Sequence, residues 1–96
     1  MASEYQTRRD IVEVGHRIWL RGYVAANDGN ISVRLGTDEF LTTPTGVSKG
    51  FMTPEMIIRV DSAGKRITGD LQPSSEIKMH LGVYHSRPDI NAVVHA

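Results

Sequence analysis

Between residues 73 and 80 the chain reads PSSEIKMH: two hydroxyls and a carboxylate directly behind a proline, with a histidine four places beyond the glutamate. The first turn of a helix carries backbone N–H groups without intrahelical partners, and its dipole favours negative charge. A serine can cap such a helix while Glu76 complements the dipole. A capping box, however, sets the glutamate three residues after the capping serine, and Glu76 follows Ser74 by two and Ser75 by one. One hydroxyl suffices as the cap and the other is spare. The alternative is an anion site, in which both hydroxyls and the free N–H groups receive a phosphate. Glu76 and His80 share one helical face, where a carboxylate and an imidazole can share a metal ion. The same spacing fits a half-buried helical histidine. His95 closes an apolar run, where a side chain can leave the core and face a cleft; a catalytic zinc usually takes three protein ligands, so alone it reads equally as structural. His16 and His85 have no partners at informative spacing and read as surface or packing residues. Asp28-Gly29-Asn30 and Thr43-Pro44-Thr45-Gly46 pair glycines, which let a ligand approach the backbone, with side chains that hydrogen-bond it. Each taken singly is an ordinary turn.

The elements that must position these groups follow from periodicity. Residues 7–22, TRRDIVEVGHRIWLRG, place Ile11, Val14/Gly15 and Ile18 at helical steps, with Val12 and Trp19 flanking. Gly22 suits the left-handed position after the last turn. VAANDGN is a polar loop. Residues 31–35 alternate as a half-buried strand, 36–39 make a hairpin turn and 40–43 the returning strand. Thr53-Pro54-Glu55 starts a short helix with Thr53 as N-cap. Residues 57–60 and 65–68 are strands around a turn at 61–64. A second helix covers about 75–86 with Ile77, Leu81 and Tyr84 as its stripe, flanked by Met79 and Val83. It ends before Pro88. Ile90 to Val94 reads as a buried strand.

The 96 residues allow one small domain, with 40% hydrophobic and 23% charged residues. Eleven basic and eleven acidic side chains cancel, and the basic ones are dispersed. Nothing draws the chain to nucleic acid or an anionic membrane surface. There is no cysteine, no run of apolar residues near the length of a membrane span and no visible signal peptide, so a cytoplasmic location is expected.

Taken together, GNISVR (29–34), TTPTG (42–46), PSSE (73–76) and H-x-x-x-Y-x-x-RPDINAVVHA (80–96) resemble the class II aldolase/adducin family in order and spacing. Within it the likeness is to the L-fuculose-phosphate aldolase type. The resemblance covers about residues 7–96, leaving 1–6 as an N-terminal tail. It implies an α/β fold, three-layer α/β/α with a mostly antiparallel central sheet, of which this chain supplies about the N-terminal half. It further implies that Asn30, Thr45, Gly46, Ser74 and Ser75 bind a substrate phosphate, that Glu76 is the acid/base group, and that His95 is the first of three zinc ligands. The other two fall outside these residues, so the chain is expected to be part of a longer fold that binds no zinc tightly by itself. The implied reaction is reversible cleavage of a ketose 1-phosphate to dihydroxyacetone phosphate and an aldehyde, in a cytoplasmic homotetramer. Proton abstraction beside a carbonyl leaves an enediolate, whose oxygen pair a zinc ion suits as Lewis acid. A sugar-phosphate 4-epimerase and a non-catalytic, adducin-like interaction module are the alternatives.

Overall fold

The computed structural model describes residues 3–25 and 28–96. Part of the expected 24–30 loop (Ala26, Asn27) and of the expected tail (Met1, Ala2) lies outside the described residues.

The first helix, α1, runs Glu4–Leu20, three residues earlier than its apolar stripe predicts. Ser3 explains the difference: its side chain accepts from the Gln6 N–H, a polar N-cap that hydrophobic periodicity does not register. At the other end Gly22 has φ +74°, and the N–H groups of Gly22 and Tyr23 donate to Trp19 and Ile18 carbonyls. This is the left-handed closure expected of glycine there.

Five strands follow, β1 (Asn30–Arg34), β2 (Glu39–Thr42), β3 (Ile58–Asp61), β4 (Arg66–Thr68) and β5 (Ala92–His95), in the antiparallel order β4-β3-β2-β1-β5. A second helix, α2 (Ile77–Ser86), joins β4 to β5. The predicted helix at Thr53 is a single 3-10 turn over Pro54–Met56, and Thr53 makes no side-chain cap. Its backbone carbonyl instead accepts from Met56.

Both faces of the sheet are covered. On one, Ile31, Leu41, Met52 and Ile57 pack with Ile11 of α1; on the other, Phe40, Ile58 and Val60 pack with Ile77, Leu81 and Tyr84 of α2. The switch from Phe40 to Leu41, and from Ile57 to Ile58, is the two-residue alternation of a strand. The chain is therefore an α/β/α sandwich around an antiparallel sheet. α1 sits close to the loop after β2: a Cβ on Gly15 would stand 2.6 Å from Met52 Cε and 3.0 Å from the Lys49 carbonyl oxygen. Arg8 reaches across to the carbonyls of Pro54 and Ile57, tying α1 to the start of β3.

Two expectations about burial fail. β1 alternates apolar and polar residues, which suggests a strand with one wet face, yet Ser32 is fully buried, because α2 covers that face too. Conversely, the apolar run at 90–94 was expected to be a buried strand, yet β5 lies at the sheet edge with Val94 half exposed. Val93 packs on the α2 side, and the core beneath α1 does not reach Val94.

Candidate active site at the sheet rim

The predicted site residues come from four chain segments, and the fold brings those segments together. Asn30, the first residue of β1, pairs in register with His95, the last of β5. Cross-strand partners share a face, so both side chains lie on the α2 side, as Val93 does. The Glu76 carboxylate completes the link, with Oε1 2.7 Å from His95 Nδ1. The loops carrying the other candidates run side by side: Pro44 and Pro73 form an isolated antiparallel bridge, and the Thr45 N–H donates to the Gln72 carbonyl at 2.9 Å. Thr45, Gly46, Ser74, Ser75 and Glu76 thus line one rim. Gly46 has φ +78° with open space where a Cβ would stand, so its backbone demands glycine and leaves room for a ligand.

Asn30 is fully buried. Its Oδ1 accepts from Thr43 Oγ1 at 2.6 Å and from Thr42 Oγ1 at 3.2 Å. Thr43 Oγ1 in turn accepts from the Ile31 N–H, so its proton is directed to Asn30. Asn30 Nδ2 is left as a buried donor with no partner among the described residues. An unmet buried polar group costs about 1–3 kcal/mol. Such a group calls for a partner from outside the chain, a water or an ion among them, and a phosphate oxygen is one acceptor that fits.

The expected helix N-terminus is corrected in detail. α2 begins at Ile77 with Glu76 as N-cap, and Glu76 makes no side-chain cap bond. Neither serine caps the first helical turn. Ser74 Oγ accepts from the Glu76 N–H, and the amides of Ile77 and Lys78 donate to the carbonyls of Ser74 and Ser75. The first-turn amides are therefore not free for an anion. Ser75, exposed at the rim, remains the more available of the two hydroxyls.

His80 is fully buried rather than half-buried. Its Nδ1 lies 2.6 Å from Ser32 Oγ, which lies 2.8 Å from the Tyr84 hydroxyl. That engagement removes Nδ1 from any metal shared with Glu76. Burial lowers the His80 pKa; the field of Glu76 opposes the shift and that of His95 adds to it. Burial likewise raises Tyr84, against Ser32, Arg34 and the Val93 backbone. Lys49, in the loop after β2, was not singled out in the sequence, where a lone lysine in VSKGF carries no periodic signal. It is fully buried, with Nζ donating to the Val47 carbonyl at 3.3 Å. Burial pushes its pKa below the ordinary lysine value, against the raising fields of Glu76 and Asp28. His16 and His85 are exposed, as expected.

Among the described residues no three His, Cys, Asp or Glu side chains gather as a metal site. With Nδ1 held by Glu76, His95 offers Nε2 as a single donor. A zinc ion therefore finds one imidazole here and no complete coordination shell. Surface hollows beside the β1–β2 turn and between α1 and Pro54 lie away from these residues.

The family described as the class II aldolase and adducin N-terminal domain matches residues 9–96, and the chain belongs to this family. It is 36% identical over 95 residues to 3-oxo-tetronate 4-phosphate decarboxylase of Pectobacterium atrosepticum, covering 99% of this chain and 43% of that protein. Methylthioribulose-1-phosphate dehydratase of Methylococcus capsulatus is 40% identical over 97% of this chain and 46% of its own length. L-fuculose phosphate aldolase of Methanococcus vannielii is 40% identical over 91% and 46%. A solved L-fuculose 1-phosphate aldolase superposes with a TM-score of 0.87 at 30% identity, over all of this chain and 45% of that one. The chain spans less than half the length of these curated relatives.

Proposed function

We propose that this chain supplies the phosphate-gripping and proton-transferring part of a class II sugar-phosphate enzyme, a zinc-dependent aldolase of the L-fuculose 1-phosphate type. The observation that carries the proposal is the 2.7 Å Glu76–His95 contact at the strand end where Asn30 keeps an unmet donor. The relatives named above differ in reaction, yet each acts on a phosphorylated keto compound. Decarboxylation, dehydration and aldol cleavage of such compounds all pass through charge developing beside a carbonyl, so one acid/base carboxylate serves each.

In this reading Asn30, Thr45, Gly46, Ser74 and Ser75 hold the phosphate, and the grip fixes the substrate so that one carbon-bound proton lies against Glu76. In aldol condensation Glu76 takes that proton from dihydroxyacetone phosphate, and in cleavage it returns one to the same carbon of the enediolate. The carboxylate is part-exposed, with its side chain 39% accessible, so substrate reaches it from the rim. His95 holds the carboxylate in place beforehand. Because the described residues present one imidazole and one carboxylate at the rim, no step is assigned to a metal. The intact enzyme is a cytoplasmic homo-oligomer, a tetramer. Leu20, Tyr23 and Phe51, each about two-thirds exposed, are apolar surface available for that assembly.

The test is Glu76→Gln in the complete enzyme, assayed with a divalent metal against a panel of ketose 1-phosphates. Turnover should vanish while affinity for the phosphorylated ligand holds. Equal loss of both would overturn the role assigned to Glu76.

A further inference from the structure

Glu76, the N-cap of α2, and His80 and Tyr84 within it follow at four-residue steps on one face. On β1, Ser32 and Arg34 follow Asn30 at two-residue steps on the face that α2 covers. The two rows meet as a buried polar seam: His80 Nδ1 to Ser32, Ser32 to the Tyr84 hydroxyl, and Arg34 to the Tyr84 carbonyl at 3.0 Å with its guanidinium 4.9 Å above the Tyr84 ring. Among His80, Ser32 and Tyr84 the one buried side-chain polar atom left without a partner among the described residues is His80 Nε2.

The direction of the relay follows from charge. If Nδ1 were to donate to Ser32, Nε2 would be a bare lone pair in the field of the Glu76 carboxylate one turn away, which is repulsive. If Tyr84 donates to Ser32 and Ser32 to Nδ1, the proton sits on Nε2, and the same field is attractive. A seam of this kind is costly where one member is unmet. At present Glu76 spends its carboxylate on His95, a half-exposed side chain on an edge strand. Any other ligand for His95 takes that partner away.

We infer that His80 is a positioning residue for Glu76: an imidazole oriented by Ser32 and Tyr84 whose buried Nε2–H receives the Glu76 carboxylate when His95 is engaged elsewhere. The carboxylate then has two stations, one at the strand end and one a helical turn deeper. The inference deepens the proposed acid/base role of Glu76 and rests on it for its meaning, although the hydrogen bond itself can be seen without any turnover.

The experiment reads the imidazole directly. In the 96-residue chain, long-range ¹H–¹⁵N spectra should show His80 as the Nε2–H tautomer. His95→Ala, an exposed substitution that leaves the core intact, should move the His80 Nε2–H resonance downfield and slow its exchange with water. The same substitution combined with Glu76→Gln should abolish much of that response. An Nδ1–H tautomer, or no response to His95→Ala, would overturn the inference while leaving the turnover test of Glu76 untouched. In the complete enzyme His80→Gln should lower kcat with KM nearly unchanged, and a rise in KM alone would also overturn it.

Discussion

The Asn30 amide is bound at its oxygen and unmet at its nitrogen, and the two ends make separable predictions. Asn30→Ala strips the acceptor from two threonine hydroxyls, at a cost of about 1–3 kcal/mol that a denaturant midpoint will show. It should also weaken phosphate binding. Ser75→Ala touches nothing structural, so it should raise KM for the phosphorylated substrate and leave the midpoint unchanged; an unaltered KM removes Ser75 from the grip. His80 links the site to pH. Its folded-state pKa is lowered from 6.5 by burial, with Glu76 opposing and His95 adding, so the unfolded chain takes up the proton first. The stability that depends on neutral His80 is complete above pH 6.5 and declines as pH falls below it. Denaturation between pH 5 and 8 should show that slope, and His80→Gln should flatten it.

At the scale of elements, α1 and the loop after β2 are in contact close enough to exclude a methyl group. Gly15→Ala places a Cβ against Met52 and the Lys49 carbonyl. Met52 can yield, but the carbonyl belongs to the loop that continues from Thr45 and Gly46. We expect a loss of about 1–3 kcal/mol, the usual cost of overpacking, seen as a lower Tm. A gain in Tm, as Gly→Ala commonly gives in an open helix, would show that the contact relaxes freely. The elements were legible where their signal is local: α1 from its stripe and Gly22, the β1–β2 hairpin, and α2 from Ile77, Leu81 and Tyr84. The boundaries that moved did so through capping. Ser3 carried α1 back to Glu4, and the hydrogen bond from the Glu76 amide to Ser74 delayed α2 to Ile77.

For the molecule as a whole, one imidazole and one carboxylate at the rim are too few donors for a tight zinc centre. Equilibrium dialysis of the 96-residue chain should find no stoichiometric zinc at micromolar concentration, and a bound equivalent would show a coordination shell that these residues do not present. No described helix is long and apolar enough to cross a membrane.

The sequence alone determined the order of helices and strands, the family through its four short motifs, and the residues Asn30, Thr45, Gly46, Ser74, Ser75, Glu76 and His95 as candidates, because periodicity, turn chemistry and motif spacing are written within a few residues of one another. Only the tertiary structure decided that His95 meets Glu76, that Ser32 and His80 are buried, that Lys49 lies inside, and that β5 is an edge. Each depends on which face of the sheet a helix covers and which strands end together, and those are contacts between residues far apart in the chain.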